Sequence, residues 1–507
     1  MIRERIFFFS QLAILFSSLL YFFSYPEVDN DLWGHLYFGR EILQNGALPS
    51  QNLYSYTAPN HTWINHEWLA EVIFNWIFEL FGSPGLLLLK LILGGGVIWI
   101  LGRVIRVRNV SFLVRTLTLV WVMAILSPGF NVRPQIFTYF LFTVFLSLFY
   151  RCETSGQTTL YWTPLLTALW VNLHGGFVAG LGAMGLFSLW MVVSRVRNRD
   201  GKGSTWAHVF IPGVISLLSL GINPYGLDLL GFLWKDLLLD RPITEWKPIP
   251  LLDFTFLEVK LAALVVCLSL SRDSWRRWNS VLVLLAVFFA FRYQRHTPLF
   301  GIAAAPLLAD GLQRIANWTM RKQRVIGWST SAQGLIAAVC LGVALLQILW
   351  IGRVHLEHRF RLLVNPKEYP TQAVDFLQRN GVQGNIAVPF GWGEYLIWKM
   401  YPKIRVSIDG RYSTAYPMEV IEDSLEWMRG GTRWRRYLEQ YPAEIAITRR
   451  YHPVSPLLRK DPEWVYVYSD PVAFIFIKRS PGQSSLLERF KAKKLVQPGP
   501  PPIYFPG

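Results

Sequence analysis

Residues 6–35 read I-F-F-F-S-Q-L-A-I-L-F-S-S-L-L-Y-F-F-S-Y-P-E-V-D-N-D-L-W-G-H, and this stretch decides the fold class. Its first part, residues 6–23, is apolar over a length close to the ~20 residues that a membrane-spanning helix needs. Its second part holds Asp29, Asp31 and His35, side chains that are costly beside a bilayer and are usually kept there for function. The stretch therefore predicts a membrane helix followed at once by a loop that carries chemistry.

We interpret the first apolar run as a retained membrane helix and not as a cleaved signal peptide. Arg3 and Arg5 precede it, as basic residues do in a signal peptide, but no A-x-A-like cleavage site follows it. The run is also long enough to span a bilayer, which the short apolar region of a signal peptide is not.

Apolar runs of span length, or slightly shorter, recur as far as residue 351. The clear runs after the first are 84–102, 176–194, 255–271, 279–291, 296–312 and 331–351. The weaker runs are 116–127, 136–150, 160–173 and 207–221. Short segments can be tilted or broken inside a large bundle. We therefore predict an integral membrane α-helical bundle of about eleven spans, within a range of ten to thirteen, over residues 1–351.

The chain carries 50 Lys and Arg residues against 33 Asp and Glu residues, a formal net charge of +17, which would first suggest a nucleic-acid partner. Much of the positive charge lies instead in alternate short loops, where basic residues mark the cytoplasmic side of a membrane. These residues are Arg3, Arg5, Arg103, Arg106, Arg108, Arg115, Arg151, Arg195, Arg197, Arg199, Lys202, Arg272, Arg276, Arg277, Arg314, Arg321, Lys322 and Arg324. They predict a multi-pass protein of the inner (cytoplasmic) membrane with a cytoplasmic N-terminus, and no nucleic-acid partner.

The composition changes after residue 351, where charge density rises and the apolar runs shorten to strand length. Strands are predicted at 385–390, 404–408, 444–448, 464–468 and 473–477. Helices are predicted at 368–379, 417–429 and 432–440. The pattern is typical of an α/β domain, which the loop charges place outside the cytoplasm and which we assign to residues 352–507.

The first outer loop, residues 24–68, contains two polar motifs, D-N-D-L-W-G-H at 29–35 and W-I-N-H-E-W at 63–68. Asp31 and His35 are four residues apart, so on a helix they share one face. Asp29 and Asp31 also suit the N-cap of that helix, because an Asp side chain accepts hydrogen bonds from the first helical turn. The motif alone leaves both interpretations open, a helix cap and a reaction centre.

These motifs resemble those of the GT-C glycosyltransferase superfamily. The shared pattern is an acidic pair that opens the first outer loop, a helix that ends in G-R-E-I-L (39–43), and a W-x-x-x-E-W-L segment that enters the next span. With W-G-E-Y-L-I-W (392–398) and D-G-R-Y (409–412), the chain also resembles a bacterial group of uncharacterised GT-C-like membrane proteins. The resemblance implies sugar transfer from a polyprenyl-phosphate carrier, outside the cytoplasmic membrane, to an envelope glycan, lipid or protein.

The resemblance also implies a catalytic carboxylate at the start of the loop helix. It falls on Asp31, with Asp29 as the second choice. The mannosyltransferases of the superfamily usually have a second acidic residue next to this position, whereas Asn30 and Leu32 flank Asp31 here.

A second departure concerns His66 and Glu67, which stand where those relatives usually carry a Lys-Pro pair. Carboxylate and imidazole groups can together ligate a divalent cation. Asp31, His35, His66 and Glu67 are therefore candidates for a metal site, which would make a divalent cation a possible cofactor.

Inverting transfer from a sugar phosphate needs a base for the acceptor hydroxyl proton and cations for the departing phosphate. Asp31 suits the first role. Basic residues of other outer loops suit the second, with Arg292, Arg295 and His296 as first candidates and Arg133 as the next. Further polar side chains are candidates for binding substrate or shaping the site; these are His35, His66, Glu67, His174, Tyr225 and Glu245.

The leading prediction is thus a GT-C-type membrane glycosyltransferase that uses a polyprenyl-phosphate-linked sugar. The main alternative is a transporter or flippase of lipid-linked glycans, in which buried polar residues line a pathway. Against it, the polar motifs collect on one predicted side of the membrane, and no inverted repeat is visible. An envelope polysaccharide polymerase or ligase and a non-catalytic scaffold are the remaining alternatives.

Overall fold

The computed structural model describes residues 2–155, 157–198, 207–237, 239, 244–270, 277–322 and 330–507. The chain divides into two compact units. The helical unit comprises Met1–Tyr25 and Leu87–Phe360, and the sheet unit comprises Pro26–Leu86 and Arg361–Gly507. Five of the basic residues predicted to be cytoplasmic lie outside the described residues, namely Arg199, Lys202, Arg272, Arg276 and Arg324.

Helices make up most of the described chain. They are α1 (Ile2–Phe23), α2 (Leu32–Asn45), α3 (Trp68–Arg106), α4 (Phe112–Leu126), α5 (Gln135–Ser155), α6 (Thr163–Trp170), α7 (Phe177–Asn198), α8 (Ala207–Leu218), α9 (Asp228–Leu237), α10 (Leu257–Ser269), α11 (Trp278–Arg292), α12 (Thr297–Lys322), α13 (Thr330–His358), α14 (Thr371–Arg379), α15 (Gly393–Met400), α16 (Met418–Met428), α17 (Trp434–Gln440), α18 (Val454–Lys460) and α19 (Ser484–Lys491).

Seven helical segments of the described chain are long and apolar enough to cross a membrane. They are Ile2–Phe23, Trp68–Arg106, Phe112–Gly129, Gln135–Thr154, Phe177–Ser194, Gln294–Met320 and Thr330–His358. The apolar runs at 160–173, 207–221, 255–271 and 279–291 form the shorter helices α6, α8, α10 and α11. The count of eleven spans therefore stays a prediction, because four of its members are shorter than a simple span requires.

Helix α3 begins at Trp68, well before the apolar run at 84–102 that predicted it. Its geometry is interrupted at Gly82, where φ is 63° and ψ is −161°. Glycine adopts this positive φ without a side-chain clash, and Pro84 follows because proline suits the first turn of a new helical stretch. The first stretch of α3 thus begins at Trp68, the last residue of the W-I-N-H-E-W motif.

In the helical unit, α1 packs along α13, and α12 packs against α4, α10 and α11. The α1–α13 contact includes polar side chains. Ser17 Oγ donates a hydrogen bond to Gln347 Oε1 at 2.6 Å, and Gln347 Nε2 donates one to Ser18 Oγ at 3.1 Å. Hydrogen bonds of this kind join helices where the surroundings offer no water.

The sheet unit is built on a five-stranded sheet with the order β2-β1-β3-β5-β4. Strands β1 (Gly384–Ala387), β2 (Ile404–Val406) and β3 (Ile445–Arg449) are parallel, whereas β4 (Trp464–Ser469) and β5 (Ala473–Lys478) run antiparallel to their neighbours. Each strand overlaps its predicted segment. The predicted helices at 368–379, 417–429 and 432–440 correspond to α14, α16 and α17.

Residues 26–86 belong to the sheet unit, a difference from the boundary predicted at 351/352. The segment around Ser55 runs along edge strand β2. The Val406 N–H donates to the Tyr54 carbonyl at 3.1 Å, and the Tyr56 N–H donates to the Val406 carbonyl at 3.2 Å. Pairing between segments so distant in sequence leaves no local pattern, although covering an exposed edge strand is physically favourable.

Candidate active site

The carboxyl ends of β1, β2 and β3 lie at one edge of the sheet, because the three strands are parallel. In open α/β sheets this is the edge at which ligands bind. The segment after β1 leads to Glu394, and the segment after β2 leads to Asp409 and Arg411. Strand β3 ends at Arg449. Charged side chains from three strand ends are thus found at this edge.

Asp31 occupies the N-cap position of α2, but its side chain makes no capping hydrogen bond. The Asn30 amide donates to Asp31 Oδ1 at 2.7 Å. The backbone N–H of Asp31 donates to Asp29 Oδ1 at 3.0 Å, so the Asp29 carboxylate stabilises the turn that precedes the helix. The sequence left open whether the Asp31 side chain caps the helix. In the structure this carboxylate does not cap α2 and accepts a hydrogen bond from the Asn30 amide.

Glu394 is a buried carboxyl group beside Asp31 that the sequence analysis did not select. It lies on α15, and its side chain is only 4% exposed. A Cβ atom added at Gly410 would lie 2.5 Å from Glu394 Oε1 and 2.7 Å from Asp31 Oδ1. A Cβ added at Gly34 would overlap the Glu394 carboxyl group itself. Glycine at both positions therefore lets this carboxyl group pack directly against backbone and next to Asp31.

The surroundings of Glu394 favour its protonated form. Burial raises the pKa of Glu394 well above its ordinary value, and the negative charges of Asp31 and Asp409 raise it further. The positive charge of Arg411 opposes them without reversing the shift. Within the described residues, Glu394 Oε2 has no hydrogen-bond partner, which also makes the ionised form costly. Glu394 therefore keeps its proton to a higher pH than an ordinary glutamate does.

Asp409 and Arg411 form a buried ion pair. Arg411 Nε donates to Asp409 Oδ1 at 2.8 Å, and Arg411 Nη2 donates to Asp409 Oδ2 at 2.6 Å. The Arg411 guanidinium lies 4.8 Å from the ring centre of Tyr54 and 4.7 Å from that of Trp63. Both rings belong to residues 26–86. Cation–π contacts of Arg411 therefore connect the first loop to the D-G-R turn at 409–411, which follows β2.

His35 and Glu71 form a second buried pair below the first turn of α2. His35 Nδ1 lies 3.3 Å from Glu71 Oε1, and the Asn65 amide donates to Glu71 Oε2 at 2.6 Å. Burial alone would lower the pKa of His35, but the hydrogen bond with Glu71 and the neighbouring carboxylates outweigh it and raise that pKa. His66 Nε2 lies 3.7 Å from Glu67 Oε1.

The candidate metal ligands do not assemble into a metal site in the part of the chain that the structure describes. No three His, Cys, Asp or Glu side chains among those residues form a group that could hold a metal ion. Glu71 engages the Nδ1 atom of His35, and Asn30 engages Asp31 Oδ1. We therefore assign no metal ligand among Asp31, His35, His66 and Glu67.

Three of the predicted site residues line one cavity of about 130 Å³ in the helical unit. They are Arg133 and Arg295, which were candidates for the phosphate, and Glu245, which was a candidate for binding substrate or shaping the site. Arg133 Nη1 forms an ion pair with Glu245 Oε1 at 2.8 Å. The Arg295 guanidinium lies 4.7 Å from the ring centre of Trp246. Among the described residues that line this cavity, two arginines and one carboxylate give a net positive charge, which favours an anion.

The other predicted residues of the helical unit do not line that cavity. Arg292 is exposed, with its guanidinium 5.1 Å from the ring centre of Tyr293. The ring of His296 contacts the aromatic rings of Trp246, Phe289 and Tyr293.

His174 and Tyr225 make local contacts of their own. His174 Nδ1 accepts the Gly176 N–H at 2.9 Å and lies 2.8 Å from Thr138 Oγ1. The Tyr225 backbone N–H donates to Asn223 Oδ1 at 2.8 Å, which closes a turn. These contacts define the local structure around both residues without giving either a chemical role.

The solved structures that are similar to this chain include two sugar-transferring enzymes. The oligosaccharyltransferase of Archaeoglobus fulgidus in its apo form is 10% identical, with a TM-score of 0.53 over 88% of this chain and 69% of its own. ArnT from Cupriavidus metallidurans bound to undecaprenyl phosphate is 12% identical, with a TM-score of 0.51 over 93% of this chain and 97% of its own. No protein-family model matches the sequence, and no curated protein matches it.

At these identities the similarity establishes the fold alone. The predicted membrane helical fold with a sheet-containing C-terminal part is confirmed. The apolar helices and the shared fold together make the chain a multi-pass membrane protein.

Proposed function

We propose that this chain is a membrane glycosyltransferase that moves a sugar from a polyprenyl-phosphate donor to a glycan, lipid or protein of the cell envelope. The transfer takes place at the outer face of the cytoplasmic membrane and inverts the anomeric centre. The fold supports this proposal, because it is shared with an oligosaccharyltransferase and with an ArnT that binds undecaprenyl phosphate. The motifs at 29–35 and 63–68 support kinship with the bacterial GT-C-like group.

One observation carries the proposal. The Asp31 carboxylate begins α2 without capping it, and it lies beside a second, buried carboxyl group, that of Glu394. A carboxylate that only caps a helix would bond to the N–H groups of the first turn. The Asp31 carboxylate instead accepts a hydrogen bond from the Asn30 amide, which supports the role of general base that we propose for it.

The reaction follows from these groups. Asp31 accepts the proton of the acceptor hydroxyl while that oxygen forms a bond to the anomeric carbon of the sugar. The bond between this carbon and the phosphate oxygen breaks, and the polyprenyl phosphate leaves with its electron pair. The raised pKa of Glu394 favours its protonated form, which limits a second negative charge near the base.

Cationic groups must stabilise the departing phosphate. In the helical unit we assign this role first to Arg295 and Arg133, because they line one cavity with Glu245. Arg292 and His296 stay as further candidates for the same role. Sugar and acceptor contacts are proposed for the remaining polar candidates, which are His35, His66, Glu67, His174 and Tyr225.

The experiment compares Asp31→Asn with Asp29→Asn in purified protein. Radiolabelled polyprenyl-phosphate sugars serve as donors, and envelope extract supplies the acceptor. We expect Asp31→Asn to lower the transfer rate by about 100-fold or more, since it removes the base but keeps the shape of the side chain. Asp29→Asn keeps an oxygen that can accept the Asp31 N–H, so its rate should stay within about tenfold of wild type.

The opposite pattern would move the base to Asp29, and unchanged rates in both variants would overturn the assignment. Movement of labelled lipid across liposomes without a new glycosidic bond would instead favour the transporter alternative.

A further inference from the structure

Arg449 is a fixed cation at the carboxyl end of β3. Its Nη1 atom donates to the Glu368 carbonyl at 3.3 Å, and its guanidinium lies 4.6 Å from the ring centre of Trp392. Trp392 precedes α15, the helix that carries Glu394. A guanidinium held over an indole face loses little conformational freedom when it binds a ligand.

The charge of Arg449 has no carboxylate counterpart in the described part of the chain. Its contacts there are an uncharged carbonyl and the faces of two rings, those of Trp392 and Tyr451. Arg411 is different, since Asp409 neutralises it. Arg435 is also paired, with Asp461 at 2.8 Å. Arg449 is therefore oriented and only half buried, with donor groups still available to an anion.

Gly391 lies near both Arg449 and Asn30, the residue that contacts the proposed base Asp31. A Cβ atom added at Gly391 would lie 3.9 Å from Asn30 Nδ2 and 4.0 Å from Arg449 Nη2, with nothing nearer. Asn30 is the residue whose amide donates to Asp31 Oδ1. The guanidinium and the amide thus both lie near one backbone position, and the Asp31 carboxylate lies next to the amide.

The imidazole of His452, which neighbours Arg449, carries no positive charge at neutral pH. Burial lowers the pKa of His452 to about 4, and the charge of Arg449 contributes to that shift. His452 is therefore neutral at neutral pH. The local positive charge is that of the guanidinium itself.

We propose that Arg449 binds a phosphate group of the substrate at the carboxyl edge of the sheet, beside Asp31. This inference rests on the proposed function. The phosphate has two possible sources, the polyprenyl-phosphate carrier and a phosphorylated acceptor. In either case Arg449 donates hydrogen bonds to phosphate oxygens, while the acceptor proton goes to Asp31 and the bond between sugar and carrier phosphate breaks.

The neighbouring Arg450 provides a matched control. Its Nη1 atom also donates to a carbonyl, that of Asp470 at 3.1 Å, and its guanidinium also lies over a ring, that of Phe474 at 5.1 Å. Arg449→Gln and Arg450→Gln therefore remove the same charge and the same kinds of contact from adjacent positions. Arg449→Lys keeps the charge but loses the forked geometry.

The experiment measures the Kd of undecaprenyl phosphate for the purified full-length chain in detergent by native mass spectrometry. The KM of a phosphorylated acceptor glycolipid, and of its dephosphorylated analogue, is measured in parallel. We expect Arg449→Gln to weaken one phosphate ligand by about tenfold, as expected for the loss of a charge-assisted hydrogen bond, with Arg449→Lys in between. Arg450→Gln should stay within about twofold of wild type.

A change in the Kd of undecaprenyl phosphate would identify the carrier as the source. A change confined to the KM of the phosphorylated acceptor would identify the acceptor. If wild type binds the carrier and Arg449→Gln changes neither quantity, or if both glutamine variants weaken both ligands equally, the inference is wrong. A wild-type protein that binds no undecaprenyl phosphate would count against the proposed function itself.

Discussion

Asp31 Oδ1 and Glu394 Oε1 both lie within 2.7 Å of the position that a Cβ atom would take at Gly410, a residue without a side chain. One carboxyl group begins α2 in the first loop, and the other begins α15 after the first strand of the sheet. Two carboxyl groups this close do not both ionise readily, so one of them keeps its proton. Burial favours the protonated form of Glu394, which leaves the Asp31 carboxylate as the proposed base.

The raised pKa of Glu394 makes stability depend on pH. The unfolded chain loses this proton near pH ~4.3, whereas the folded protein keeps it to a much higher pH. The stabilisation that protonated Glu394 provides is complete below its pKa in the unfolded chain. This stabilisation is lost as the pH rises through its pKa in the folded protein. Glu394→Gln mimics the protonated acid, so its melting temperature should fall less than that of wild type between about pH 5 and pH 8.

Thermal unfolding in detergent across this pH range is the measurement. Glu488→Gln, at an exposed position on α19, is the control and should follow the wild-type curve. Parallel curves for wild type and Glu394→Gln would show that Glu394 titrates normally in the folded protein.

The Asp409–Arg411 ion pair should be far more important for stability than an exposed pair. Asp409→Asn leaves the Arg411 guanidinium buried without a counter-charge, which typically costs about 3–5 kcal/mol. Arg435→Gln breaks the pair with Asp461, but Arg435 is 61% exposed, so the expected cost is about 0–1 kcal/mol. Denaturant unfolding of the two variants in detergent measures the difference. If both variants lose the same free energy of unfolding, the D-G-R turn does not stabilise the contact between the first loop and the sheet.

The helical-unit cavity separates two arginines that the sequence ranked together. Arg295 lines the cavity that holds Arg133 and Glu245, whereas Arg292 is exposed over Tyr293. Arg295→Gln should therefore weaken undecaprenyl phosphate binding by about tenfold, and Arg292→Gln by about twofold at most. Titration of both variants with the lipid in detergent micelles checks this order. A larger effect at Arg292 would mean that the phosphate binds outside the cavity.

The strands and the longest spans could be predicted because their signals are local. Residues 445–449 and 473–478 are short apolar runs between turn residues, and they form strands at those places. Helix α15 was not predicted, because W-G-E-Y-L-I-W mixes apolar and polar residues over a stretch too short to show a helical period. The resemblance of W-G-E-Y-L-I-W to the GT-C-like group is the one sequence signal that points to Glu394.

The site was harder to predict because its members come from distant segments. The position of Asp31 at the start of a helix followed from its motif, and the structure agrees. The amide that orients Asp31, and the glycines that admit Glu394, became visible only through contacts. Helical spacing places His35 near Asp31, but it does not reveal the contact of His35 Nδ1 with Glu71 Oε1 at 3.3 Å.

By itself the sequence determined the membrane helices, the five strands and the acidic start of the first loop, because hydrophobic length and period act over neighbouring residues. Only the tertiary structure decided that residues 26–86 belong with the sheet and that Glu394 lies beside Asp31. The physical reason is that both depend on close packing and hydrogen bonds between segments far apart in the chain. Such contacts form only when the whole unit has folded, and no local pattern records them.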